Sequence, residues 1–172
     1  MDNQQAKSEF DKGWLVGFLE GEGCFALQKN KCKGHKAWIV PRISMSGADF
    51  ELVERAGGIL IQMGVGTYFT RKRYTTKQDQ LEIVVSGLKR CKTFLDKLVP
   101  LMTDSRKRRC AETLLEYCTY RLQQPKTSQY TEVEFGMWQT LRDLNGYKLK
   151  QSLRDSTRDI FNYDMKVESN AT

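Results

Sequence analysis

Leu15-Val16-Gly17-Phe18-Leu19-Glu20-Gly21-Glu22-Gly23 is the stretch that decides how the rest of this chain is read. An apolar helical turn runs into two carboxylates interleaved with glycines. Gly13, Gly17 and Gly21 recur every four residues, and on a helix that spacing leaves a smooth stripe where a second backbone can come close. Trp14, Leu15, Phe18 and Leu19 point away from the stripe, towards a core of the chain's own. The helix is therefore packed on two sides and carries acid at its C-terminal end. That end is the negative pole of the helix dipole, where an unaccompanied carboxylate is disfavoured and a divalent cation reverses the penalty. Taken singly, such glycines mean close packing and an E-G-E-G run means a solvated turn. Their coincidence with apolar flanks in one segment is the informative feature.

Working outward, Ser8-Glu9-Phe10-Asp11 reads as a capping box that opens this helix, which ends at Gly21–Gly23. Cys24–Asn30 alternates as a strand, Phe25 and Leu27 on one face, Ala26, Gln28 and Asn30 on the other. A basic turn with Lys31, Lys33 and Lys36 leads to a returning strand, Ala37–Ser46. Its inner face holds Ile39, Ile43 and Met45, and its outer face Trp38, Val40, Arg42, Ser44 and Ser46. Pro41 within it argues for an edge or a bulge. Asp49–Gln62 is helical despite Gly57-Gly58. Gly66–Arg73 and Gln80–Ser86 follow as strands, then helices over Leu88–Val99, Arg106–Leu122, Glu132–Leu144 and roughly Leu149–Tyr163. The order is α-β-β-α-β-β-α with appended C-terminal helices, an α+β domain. One domain spans residues 1–172, its core at 8–123 and a helical extension at 130–165.

The chain has 172 residues and a net charge of +7, from 28 Lys+Arg against 21 Asp+Glu. This excess favours a polyanionic partner, and a symmetric pair of chains would double it. Five cysteines and one histidine, His35, include no C-x-x-C pair and no zinc ligand set. Reduced thiols in an intracellular compartment are expected. No apolar run approaches membrane-spanning length, so no membrane partner is expected, and Met1–Lys7 resembles no signal or transit peptide. The compartment, an organelle or a prokaryotic cytoplasm, is left open.

Four strands in two hairpins can pack helices on one face and keep the other polar. On the outer face we place Gln28, Asn30, Trp38, Arg42, Ser44, Arg71, Arg73, Gln80 and Glu82. Amides and arginines at alternate positions suit base-edge hydrogen bonding in a major groove, which admits a two-stranded ribbon. Lysines of the 29–36 turn would contact phosphates and set register; Lys148 and Lys150, with Arg154 and Arg158, either reach phosphates further out or form a plain solvated helix face, which explains them at least as well. Without the opening stretch, a merely solvated face is the better explanation of alternating polar residues, and with that stretch the ordering reverses.

The opening stretch resembles the signature of the LAGLIDADG homing endonucleases, with Val16 in place of the usual alanine and Glu20 and Glu22 in place of aspartates. The resemblance is strong over residues 10–30 and extends to about residue 123. It implies the LAGLIDADG fold, a saddle-shaped antiparallel sheet lying along the major groove of double-stranded DNA. A single copy of the motif implies a homodimer whose signature helices meet at the two-fold axis, through Gly13, Val16, Gly17, Glu20 and Gly21. It also implies that Glu22 is the metal-binding catalytic acid, that the Gly21 carbonyl is a further metal contact, and that the first acid, Glu20, supports the helix interface. In Ser105-Arg106-Lys107-Arg108-Arg109 it carries an active-site cation onto Lys107. The spacing from Pro100 is one residue longer than expected, so Arg106 or Arg108 competes for that place. A family polar residue near Ser46–Ala48 has no long amide to match it here.

Phosphodiester hydrolysis needs activated water, charge neutralisation and help for the leaving oxygen, all of which carboxylate-held Mg²⁺ provides, with Mn²⁺ as a substitute. The expected function is therefore intron-encoded, site-specific double-strand cleavage of a long pseudo-palindromic target, leaving 3′ overhangs. The alternative is a non-cleaving nucleic-acid-binding protein of the same fold, an intron RNA maturase or a transcription regulator.

Overall fold

The computed structural model describes residues 3–30, 37–72, 78–103, 105–126 and 128–146. Helix α1 (Asn3–Glu22) passes directly into strand β1 (Gly23–Asn30), followed by β2 (Trp38–Gly47), α2 (Phe50–Gln62), β3 (Tyr68–Lys72), β4 (Gln80–Ser86), α3 (Leu88–Leu98), a 3₁₀ turn (Val99–Leu101), α4 (Arg106–Gln123) and α5 (Glu132–Leu144). The α-β-β-α-β-β-α order with appended helices is as expected, while the helix expected over 149–163 lies outside the described residues. The strands form one antiparallel sheet in the order β1-β2-β4-β3, two hairpins joined through β2 and β4.

Strand parity sets the layers. Phe25, Leu27, Ile39, Ile43, Met45, Ile83 and Val85 face the helices and join one core with residues of all five, Leu15 and Leu19 of α1 among them. Ser44, Glu82 and Val84 are buried too but fall outside that core cluster, on the opposite face of the sheet. Gly57 lets α2 lie against the sheet, because a Cβ there would run into Phe69 and come within 3.0 Å of Ile83. Gly23 is required at the helix-to-strand junction, where a Cβ would collide with the Leu19 carbonyl oxygen.

Two local expectations are corrected. Helix α1 is already under way at Asn3, so Ser8 is interior and Glu9 pairs with Lys12 at 2.7 Å instead of closing a cap. The capping box is at α5, where Thr131 and Glu134 exchange bonds across the first turn. Pro41 is not on an edge strand, since β2 lies between β1 and β4. Pairing with β4 starts only at Arg42, and the Pro41 carbonyl accepts from Gly87 N–H at 3.0 Å, just beyond the end of β4. The missing donor therefore falls where no ladder partner needs it, a local edge inside an interior strand.

Candidate functional site

Helix α1 buries Leu15, Val16 and Leu19 against the core. Its opposite side exposes Gly13, Gly17 and Gly21, and a Cβ built on any of the three meets nothing within 4 Å. Phe10, 65% exposed, lies in line with them. Trp14 and Phe18, half-buried, stack at 5.4 Å, and the Arg55 guanidinium sits 4.2 Å from the Trp14 ring. Val16 was expected on the glycine side. It is 5% exposed and packs into the core instead, at the border between the apolar side and the glycine stripe.

The two acids at the end of α1 have different surroundings. One Glu20 carboxylate oxygen, Oε1, accepts from both the Thr103 N–H at 2.9 Å and the Thr103 hydroxyl at 2.7 Å. Glu22 is exposed at the last helical position.

The basic run sorts itself through α4. Ser105 caps the helix by accepting from Arg108 N–H at 3.2 Å. Arg106 donates to the Leu144 carbonyl at 3.0 Å, at the C-terminal end of α5, where a cation complements the dipole. Arg108 is committed to Glu112 at 2.9 Å and to the Met102 carbonyl at 3.2 Å. Lys107 alone reaches the end of α1, donating from Nζ to the Gly23 carbonyl, next to Glu22 in the chain. Of the three competing cations, Lys107 is the one the fold brings beside the acid.

The outer face of the sheet carries a polar belt with one residue from each strand. Arg42 donates to Glu82 Oε2 at 2.7 Å and to Gln28 Oε1 at 3.5 Å, and Thr70 donates to the same Glu82 oxygen at 3.0 Å. Glu82 is only 4% exposed, so this acid holds the belt together and does not itself reach outward. Gln28 and Trp38 are exposed, Asn30 and Gln80 half-buried, and Ser44, opposite Cys24 across the ladder, is 8% exposed.

Arg71 departs from expectation. It is paired opposite Leu81, on the helix side of the sheet, with its guanidinium 5.3 Å from the Phe50 ring and 3.2 Å from Asp79. The strand presents Tyr68 and Thr70 to the outer face, because Phe69 takes the helix side opposite Ile83. Lys31, Lys33, Lys36, Arg73, Lys148 and Lys150 lie outside the described residues. Sequence reasoning missed Thr103 and Thr70; a threonine in a loop and another beside a basic run carry no spacing signal. No group of three or more His, Cys, Asp or Glu that could hold a metal exists among the described residues.

No protein-family model matches the sequence. Solved structures do. The homing endonuclease I-CvuI, in complex with its target in the presence of Ca, is similar at 18% identity with a TM-score of 0.62, over 90% of this chain and 96% of that one. The archaeal intron-encoded homing endonuclease I-Vdi141I, complexed with DNA, is similar at 16% identity with a TM-score of 0.64, over 90% and 98%. The LAGLIDADG homing endonuclease I-GzeII, in complex with a DNA target, is similar at 17% identity with a TM-score of 0.60, over 87% of this chain but 50% of that one.

Proposed function

This chain has the LAGLIDADG homing endonuclease fold, and we propose that it works as a site-specific, Mg²⁺-dependent DNA endonuclease, active as a homodimer on a long pseudo-palindromic target. The observation that carries the reading is the exposed glycine stripe of α1 ending at a free Glu22, with Lys107 brought to the adjoining carbonyl. Smooth exposed stripes with no neighbour are what close helix pairing requires. The match to only half of I-GzeII, against nearly all of I-Vdi141I, suits a chain that supplies one half of a two-fold site.

The donor set on this chain fits Mg²⁺. Glu22 offers carboxylate oxygens and the last turn of α1 offers carbonyls, Gly21 among them, that have no partner within the helix. Hard oxygen donors in small number, completed by substrate phosphate and retained waters, match the preference of this ion. When bound, the ion neutralises phosphate charge and makes water a competent nucleophile. The chain's own residues do the rest. Glu22 from each copy holds one cation-binding position, and two such carboxylates near one axis would repel without that cation. Lys107, oriented by the Gly23 carbonyl, places positive charge where the phosphoryl group gains negative charge. The outer sheet face, with Arg42 fixed by Glu82, reads base edges, Arg42 being suited to guanine O6 and N7. Each copy cuts one strand, giving a staggered break with 3′ overhangs.

The test uses a plasmid carrying a duplex selected from a randomised pool by its binding to the protein in Ca²⁺. The wild-type protein with Mg²⁺ linearises it, and Glu22→Gln binds it with similar affinity but does not cut. Equal cutting by Glu22→Gln would reject the assignment of the acid, and a wild-type protein that binds but never cuts would leave a binding module.

A further inference from the structure

We propose that Thr103, through its two hydrogen bonds to Glu20, is a positioning residue that sets Lys107 against the end of α1. This rests on the nuclease reading above but makes its own structural claim. Between α3 and α4, Thr103 is bonded to the C-terminal turn of α1, so that residues 102 and 103 form a short strap against it. Met102, 3% exposed, anchors one side of it, and its carbonyl accepts from Arg108 at 3.2 Å. Ser105 starts α4 by capping it. Between these anchors, Thr103 spends both its donors on one Glu20 oxygen, at 2.9 and 2.7 Å, across 83 positions of sequence. Lys107 then lies in the first turn of α4 and closes the strap onto Gly23.

The two links bracket the acids. Glu20 and Gly23 are three residues apart in sequence, and the strap touches both, one through Thr103 and the other through Lys107. Electrostatics makes the division of labour between the acids intelligible. Both sit at the unfavourable pole of the α1 dipole. Two donors compensate Glu20, so that acid is consumed by structure, while Glu22 keeps its lone pairs for a cation. A lysine on four rotatable bonds has no fixed place of its own, and positioning within about 0.5 Å matters for charge stabilisation in a transition state. Fixing the first turn of α4 against α1 supplies that constraint.

The test compares Thr103→Val, which keeps shape and loses the hydroxyl, with Thr103→Ser, which keeps the donor. The first readout needs no nuclease activity. Amine labelling with mass spectrometry follows the reactivity of Lys107, which is slow in the wild type and in Thr103→Ser and rises severalfold in Thr103→Val, with unchanged circular dichroism. The second is single-turnover cleavage of the selected duplex. Thr103→Val slows it about tenfold with binding in Ca²⁺ unchanged, and adds nothing in a Lys107→Ala background. Unaltered Lys107 labelling in Thr103→Val would overturn the proposal. So would an equal slowing by Thr103→Val with Lys107 and without it. A wild-type protein that cuts no DNA would defeat the nuclease reading, and the labelling result alone would then decide the strap.

Discussion

At the scale of single residues, the structure separates groups that composition treats as equivalent. Glu20 and Glu22 differ by two positions, yet one is tied to Thr103 and the other is exposed. Arg106, Lys107 and Arg108 are consecutive, yet only the lysine reaches α1. The family resemblance pointed to Glu22 and left three cations in competition, because a one-residue shift on a helix turns a side chain by about 100° and spacing from Pro100 cannot fix that angle. Glu82 shows the opposite failure. Alternation placed it on the outer face correctly, but no periodicity reveals that its carboxylate is consumed by Arg42 and Thr70. Arg42→Met should destabilise the fold by about 2 kcal/mol, since it removes a charge-assisted hydrogen bond from a carboxylate that is 4% exposed. Glu82→Gln, which keeps an acceptor for Arg42 and Thr70, should cost about 1 kcal/mol. Urea unfolding of the two variants checks the order, and a larger loss in Glu82→Gln would contradict the account of the belt.

At the scale of elements, α1 is legible because two patterns coincide on it, an apolar side that became core and a glycine side that stayed open. Val16 was misassigned because small apolar residues fit either side. Strand β3 was legible as a strand but not in parity. Thr70-Arg71-Lys72 has no apolar alternation, and only Phe69, paired with Ile83, determines which face Arg71 takes. Pro41 misled because an interior strand can have a local edge where its neighbour ends. The glycine stripe yields a prediction with opposite signs in two assays. Gly17→Ala should stabilise the single chain by up to about 1 kcal/mol, as alanine does at exposed helix positions. The same methyl would hold two helices apart, so sedimentation equilibrium should show the dissociation constant of the pair raised about tenfold, some 1.4 kcal/mol. An unchanged dissociation constant would mean that the stripe is not the seam.

At the scale of the whole molecule, the four strands and five helices of the described residues place the acid, the lysine and the polar sheet face on one chain, and the proposed pairing makes two such sites. The cysteines report on this arrangement independently. Cys91, Cys110 and Cys118 are buried, and desolvation pushes the Cys110 thiol above its ordinary range. The Cys118 thiol is likewise raised, by its hydrogen bond with Cys91 and by burial. Cys24, half-buried, is the second residue of β1, opposite Ser44 on the outer face. Iodoacetamide should therefore modify Cys24 in the native protein and spare Cys91, Cys110 and Cys118 until unfolding, and binding of the selected duplex should protect Cys24; modification of Cys24 undiminished by DNA would place the duplex elsewhere.

The most direct measurement mixes active and inactive chains. Wild-type and Glu22→Gln proteins, co-expressed with different tags and purified as mixed pairs, are given Mg²⁺ and a supercoiled plasmid bearing the selected duplex. If each copy supplies one acid and cuts one strand, the mixed pair gives nicked circles while the wild-type pair gives linear DNA. Linear product from the mixed pair at half the wild-type rate, or no stable mixed pair at all, would contradict it.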